Sequence, residues 1–96
     1  LTKSLAMELG NLNIRVNAIC PGSVSGDRMN KVIEAKAQLM NISEKKLQND
    51  FESMTSLNTF VEKDDISNAV IFLLSDDAKK ISGQVITIDG NTERMN

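Results

Sequence analysis

Proton transfer, nucleophilic attack and metal binding rest on a short set of side chains, and this sequence omits most of them. It contains no His, Tyr or Trp and a single cysteine, Cys20. That excludes a zinc site and a Cys–His nucleophilic pair, and no phenol is present to donate a proton. Chemistry carried wholly within these residues would fall to Asp, Glu, Lys or Ser, and no pair of them forms a catalytic constellation. What remains is a stretch that works through its backbone, Arg15-Val16-Asn17-Ala18-Ile19-Cys20-Pro21-Gly22-Ser23-Val24-Ser25-Gly26. Val16, Ala18, Ile19 and Cys20 suit a strand covered on both faces, as in a parallel sheet. Pro21 lacks an N–H and has a fixed φ, so it is predicted to end the ladder. Gly22 lets the chain turn or lets a ligand approach closely. Ligands of open α/β sheets sit beyond the carboxyl ends of the strands, which makes Pro21–Gly26 the predicted ligand loop.

The elements that position this loop follow from periodicity. Leu1, Leu5, Ala6 and Leu9 recur at helical spacing, and Gly10 is placed to stop that helix. The pattern is already running at Leu1 with no N-cap before it, so residues 1–9 read as the second half of a longer helix. A strand over Ile14–Cys20 leads to the loop, and Ser25 or Asp27 is placed to cap the next helix, from Arg28 to Met40. Met29, Val32, Ile33 and Leu39 form its apolar stripe. Ser43 is a good N-cap for a helix over Glu44–Leu57, with Leu47, Phe51, Met54 and Leu57 at three- to four-residue spacing. Asn58–Glu62 is a connection. Asp64 and Asp65 open the most apolar helix, which carries Ile66, Ala69, Val70, Phe72, Leu73 and Leu74 and is predicted to lie flat on a sheet. Ser75–Lys80 makes a corner, Val85–Ile88 a short strand, Asp89-Gly90-Asn91 a turn, and Thr92–Asn96 a polar tail broken only by Met95.

With 96 residues the chain amounts to one small domain at most. Its 11 basic and 13 acidic residues leave a net charge of −2, against the clustered basic face that nucleic-acid binding requires. No apolar run approaches the roughly 18–20 residues needed to span a membrane, and there is no signal-peptide pattern. The lone Cys20 permits no intrachain disulfide and fits a reducing, cytoplasmic setting. Two strands joined through helices are predicted to be parallel, with a right-handed crossover. A parallel sheet needs several strands and two covered faces, and the apolar helix demands a wider surface than two short strands provide. The fold class is therefore α/β, the C-terminal part of a larger doubly wound parallel sheet, with two strands and about four helices present. Its parts are residues 1–26 (helix end, strand and loop), 27–60 (two helices) and 61–96 (helix and last strand).

Leu1-Thr2-Lys3-Ser4-Leu5-Ala6-Met7-Glu8-Leu9, then Ile14-Arg15-Val16-Asn17-Ala18-Ile19-Cys20-Pro21-Gly22, resembles the short-chain dehydrogenase/reductase family. So do Asp65-Ile66 with Phe72-Leu73-Leu74-Ser75, and Ile81-Ser82-Gly83-Gln84 followed by Asp89-Gly90. Each block alone is weak; together, in the family's order and spacing, they cover nearly the whole chain. The resemblance implies a Rossmann-type doubly wound parallel sheet and hydride transfer between NAD(H) or NADP(H) and an alcohol or carbonyl substrate, in a cytoplasmic homo-oligomer, a dimer or tetramer. It places the family's Gly-rich turn, catalytic Ser and Tyr-x-x-x-Lys upstream of these blocks, so no catalytic residue is assigned here. It implies a cofactor-binding set of Pro21, Gly22, Ser23, Val24, Ser25 and Arg28. Pro21 and Gly22 would wall the nicotinamide ring, and the Val24 backbone would hydrogen-bond its carboxamide, which offers both a donor and an acceptor. Residues 27–60 would form the substrate lid, and Arg15 and Asn17 would tie the strand to its neighbours.

The sequence departs from the family pattern at two places. Many members have Thr where this chain has Gly26, its hydroxyl within reach of the cofactor phosphates; Ser25 and Arg28 are the nearby substitutes. Arg28 could pair bidentately with a phosphate or a substrate carboxylate. The family's Asp-Gly-Gly becomes Asp89-Gly90-Asn91. The competing reading is a non-enzymatic remnant or interaction module that pairs with another chain through a sheet edge and apolar helix faces. Coding sequence upstream of Leu1, with or without Tyr-x-x-x-Lys, separates the two.

Overall fold

Val85-Ile86-Thr87-Ile88 is an unbroken β-branched run, the composition that packs on a pleated surface, and it forms the strand β2 (Val85–Ile88) of the computed structural model, which describes residues 1–92. It pairs in parallel with β1 (Ala18–Pro21), Ala18 opposite Val85 and Pro21 opposite Ile88. Between and before them lie α1 (Thr2–Leu9), α2 (Asp27–Met40), α3 (Glu44–Glu52) and α4 (Lys63–Leu74). The α/β class, the parallel pairing and the four helices agree with the sequence reading. Of the tail, residues 93–96, Met95 included, lie outside the described residues.

The first strand is shorter and later than expected. Residues 14–17 meet the 81–84 segment through one backbone bond, from the Gly83 N–H to the Val16 carbonyl at 2.7 Å, and otherwise through side chains, without forming a ladder. The Asn17 amide donates to the Ile81 carbonyl at 2.9 Å and accepts from the Gln84 N–H at 3.1 Å; Arg15 Nη1 donates to the same Ile81 carbonyl at 3.3 Å. The ladder ends at Pro21 as expected, with Pro21 inside it as the last paired residue. Ala18 and Gly22 both donate their N–H groups to the β2 side. The alternation of a strand therefore turns the nitrogen of Pro21 to the opposite edge, where no donor is needed for this pairing.

Other boundaries move for local reasons. Gly10 is in right-handed helical geometry and begins a single 3₁₀ turn, and the left-handed stop is Asn13, with φ 60°. Neither Ser25 nor Asp27 caps α2; Gly26 is its N-cap and no side chain bonds the first turn. Ser43 caps α3 as expected, accepting from the Lys46 N–H at 3.1 Å. That helix stops at Glu52, five residues early, because Thr55 competes for its end: the hydroxyl donates to the Glu52 carbonyl and accepts from the Thr59 N–H, both at 3.0 Å. α4 begins with a capping box, in which Glu62 and Asp65 bond each other's backbone N–H groups.

The buried core belongs mainly to the middle of the chain. Ile33 and Ala37 of α2, Leu47 of α3 and Phe60 form one cluster, with Met29, Ile42 and Phe51 packed on it. The inward stripe of α2 is thus Met29, Ile33 and Ala37, one residue every turn; Leu39, assigned to that stripe from the sequence, is 87% exposed. α4 buries only Leu73, while Leu74 is 77% exposed, because a two-stranded sheet is too narrow to cover an apolar helix. Cys20 is likewise exposed, not covered. The radius of gyration is 17.2 Å, against about 12.5 Å for a compact chain of this length. Among the described residues no helix is long and apolar enough to cross a membrane.

Candidate functional site

Beyond Pro21 the chain leaves β1 under tight constraint. Gly22 donates its N–H to the Ile88 carbonyl at 2.8 Å. A Cβ at this position would stand 2.5 Å from Asp89 Cβ and 2.8 Å from Asp89 Cα. The close approach that requires glycine here is therefore to the end of β2. Two residues later the loop meets Val61, which accepts from the Ser25 N–H at 2.8 Å and donates to the Ser23 carbonyl at 2.9 Å. This is an isolated parallel bridge between Val24 and Val61.

The bridge decides what Val24 can do. In a parallel pairing, the residues on either side of the bridged one form the bonds, and its own N–H and C=O face the other way. Among the described residues neither main-chain group of Val24 has a hydrogen-bond partner. One free donor and one free acceptor on a single residue thus stand at the end of β1. Val24 itself lines a cavity of about 400 Å³, together with Pro21, Gly22, Ser23, Arg28, Met29 and Val32. A wider groove, about 630 Å³, runs between the start of β1 and α4. Two of its three polar side chains, Arg15 and Asn17, are already bound to the Ile81 carbonyl.

Of the six predicted site residues, Pro21, Gly22, Ser23, Val24 and Arg28 line one cavity. Ser25 does not. Its hydroxyl donates to Glu62 Oε2 at 2.7 Å. Gly26 has φ 140° and ψ −171°, a conformation strained for any residue with a side chain, so the Thr of the family pattern would not sit comfortably here. Lys63 fills the space on that side, its Cε 3.5 Å and its Nζ 3.9 Å from where a Cβ would be. Residues 61–63, treated in the sequence as the end of a connection and the start of a helix, are thus the strap that holds the loop. The signal that could have marked them is the spacing Glu62-x-x-Asp65, an acidic capping box.

Met29 and Val32, on the first turns of α2, form the apolar side of the cavity. The α2–α3 pair reaches the end of β2 through Ser56 and Leu57, whose N–H groups donate to the carbonyls of Asn91 at 2.9 Å and Gly90 at 3.2 Å. Asn91, the departure from Asp-Gly-Gly, takes the left-handed conformation with φ 64°, and its side-chain amide bonds the Ser56 hydroxyl. The substitution at the end of β2 therefore attaches the base of the α2–α3 unit to the sheet.

Comparison with known proteins covers nearly all of this architecture. The family model described as enoyl-(acyl carrier protein) reductase matches residues 1–91. The 7alpha-hydroxysteroid dehydrogenase of Escherichia coli strain K12 is 37% identical over 90 residues, which are 94% of this chain and 31% of that protein. A short chain dehydrogenase family protein from Francisella tularensis superposes with a TM-score of 0.85 at 42% identity, over 93% of this chain and 37% of that one. A 4-hydroxyisoleucine dehydrogenase complexed with NADH gives 0.75 at 36% identity, over 94% and 33%. The chain thus spans about a third of the length of the curated relatives it matches. With the family model matching residues 1–91 and these relatives alike over more than nine-tenths of it, the chain belongs to the short-chain dehydrogenase/reductase family.

Proposed function

We propose that this segment forms the nicotinamide-side wall and the substrate lid of an NAD(H)- or NADP(H)-dependent oxidoreductase acting on an alcohol or carbonyl. The observation that carries the reading is the unpartnered N–H and C=O of Val24 beside the Pro21-Gly22 turn. A primary carboxamide presents one acceptor and a donor group, so the two main-chain groups match it in kind and fix which ring face meets the substrate. The cofactor supplies the hydride; the residues here bind and orient. Pro21, Gly22 and Ser23 shape the wall, Ser25 holds the loop, and Arg28 at the rim attracts a phosphate or a substrate carboxylate. Residues 27–60, with their own small core, act as the lid that excludes water. Residues 1–26 and 61–96 supply the sheet end that carries both, within a cytoplasmic dimer or tetramer.

The 96 residues hold no Tyr, and on this reading the purified 96-residue chain turns over neither NADH nor NADPH. Val24→Pro in the full-length protein tests the site, because it deletes the N–H without removing side-chain bulk. NADH or NADPH affinity is expected to fall about tenfold, the loss of one well-placed hydrogen bond with its partner left unsatisfied. Unchanged affinity, or turnover by the 96-residue chain alone, would overturn the assignment.

A further inference from the structure

The loop residues are fixed by three bonds to one strap, and the third is not required by the fold. Val61, 4% exposed, and its neighbour Phe60, 7% exposed, are anchored, and the two backbone bonds from Val61 set where the loop runs. The remaining bond joins the Ser25 hydroxyl to the Glu62 carboxylate at 2.7 Å, across 37 residues of sequence. The next residue, Gly26, already belongs to the start of α2, its carbonyl accepting from the Asn30 N–H at 2.9 Å, so among the described residues this is the one side-chain bond that holds the loop between β1 and the helix. We propose that Glu62 is a positioning residue: acting through Ser25, it sets the angle at which Val24 presents its free N–H and C=O to the nicotinamide end of the cofactor. This rests on the proposed role of the loop and adds a residue to it.

The chemistry favours this use of the pair. A hydroxyl donating to a carboxylate is a charge-assisted bond, stronger than one between neutral groups. The same carboxylate also accepts from the Asp65 backbone N–H in the α4 capping box. Glu62 is therefore held by a helix end while it holds the loop. With a carboxylate at 2.7 Å, Ser25 is poorly placed to touch an anionic phosphate. Its hydroxyl serves the cofactor at one remove, through the backbone of its neighbour.

The test uses the full-length polypeptide carrying this segment. It is titrated with whichever of NADH and NADPH binds more tightly, and with the matching ligand lacking nicotinamide, ADP-ribose or its 2′-phosphate. Ser25→Ala removes the donor and leaves the α4 cap intact. It is expected to weaken the reduced dinucleotide about 3- to 10-fold with ADP-ribose binding unchanged, and Ser25→Thr, which keeps a hydroxyl, to restore it. Glu62→Ala is expected to give the same selective loss, together with a lower melting temperature from the lost cap, and the double variant to lose no further affinity. Wild-type affinity in Ser25→Ala, or equal weakening of both ligands, would overturn the positioning role while leaving the nicotinamide reading intact. Wild-type protein that binds ADP-ribose as tightly as the dinucleotide, or binds neither, would overturn both.

Discussion

Gly22 is the residue on which the loop's path depends, and replacing it with Ala gives a sharp test of the geometry. The added Cβ would lie 2.5 Å from Asp89 Cβ and 2.8 Å from Asp89 Cα. Optimal carbon contacts are about 3.5–4.0 Å, so the ends of β1 and β2 must part by about 1 Å. One of the obstructing atoms is backbone, and no side-chain rotation relieves it. Overpacking of this kind costs about 1–3 kcal/mol, and the adjacent bond from the Gly22 N–H to the Ile88 carbonyl, 2.8 Å long, lengthens with it, adding about 1 kcal/mol. For a domain of roughly 150–250 residues each kcal/mol lowers the melting temperature by about 2–4 °C, so a drop of about 4–16 °C is expected in the full-length protein. Gly10→Ala is the matched control. Nothing lies within 4 Å of its Cβ position and its backbone is helical, φ −60° and ψ −35°, so it should be neutral or stabilising by up to about 1 kcal/mol. Thermal denaturation of both variants decides the matter: equal melting temperatures for Gly22→Ala and Gly10→Ala would refute the close approach.

Two further perturbations test the proposed lid and the proposed place of Arg28. Ile33→Ala empties the centre of the α2–α3 cluster, where Ile33 is 3% exposed, and should cost about 2–5 kcal/mol. Hydrogen exchange should speed up in α2 and α3 and stay unchanged at the β1–β2 pairing, since the cluster contains no strand residue; uniform acceleration would argue against a separate lid unit. Arg28→Ala removes an exposed cation from the cavity rim and is expected to weaken cofactor or substrate binding by roughly 2- to 5-fold, the range of a solvent-screened pair. Affinity unchanged for both ligands would take Arg28 out of the site.

The parts of the fold that were legible in the sequence are those written locally. The β-branched run 85–88, the Ser43 cap and the helical pattern before it each depend on neighbours within a few residues, and each appears within a residue of where the pattern places it. The misplaced boundaries depend on distant partners. Ile14–Asn17 has strand composition, but Asn17 bonds Ile81 and Gln84 with its side chain, an arrangement that sequence separated by more than sixty residues does not reveal. Glu44–Leu57 has one continuous period, but Thr55 turns its hydroxyl on the backbone and ends the helix early. The left-handed positions follow a readable rule only in retrospect: Asn13, Asn41, Asn58 and Asn91 all have positive φ, the non-glycine residue that tolerates it best.

The loop itself divides in the same way. A Pro-Gly pair after an apolar run marks the end of a strand, and that much is local. What Val24 offers is not, because its free N–H and C=O are defined by the partner that its neighbours take, Val61, and that pairing joins two segments of unremarkable sequence. The same non-local contact changes the meaning of the departure at Gly26. In isolation, Gly26 removes the hydroxyl that the family pattern carries at this position. In place, the hydroxyl stands one residue earlier, on Ser25, and is turned toward Glu62, while Gly26 takes φ 140° to begin α2. A Thr at 26 would meet strain from its own backbone before it reached a phosphate, so restoring the family residue alone, without altering the Glu62 strap, should not restore the contact.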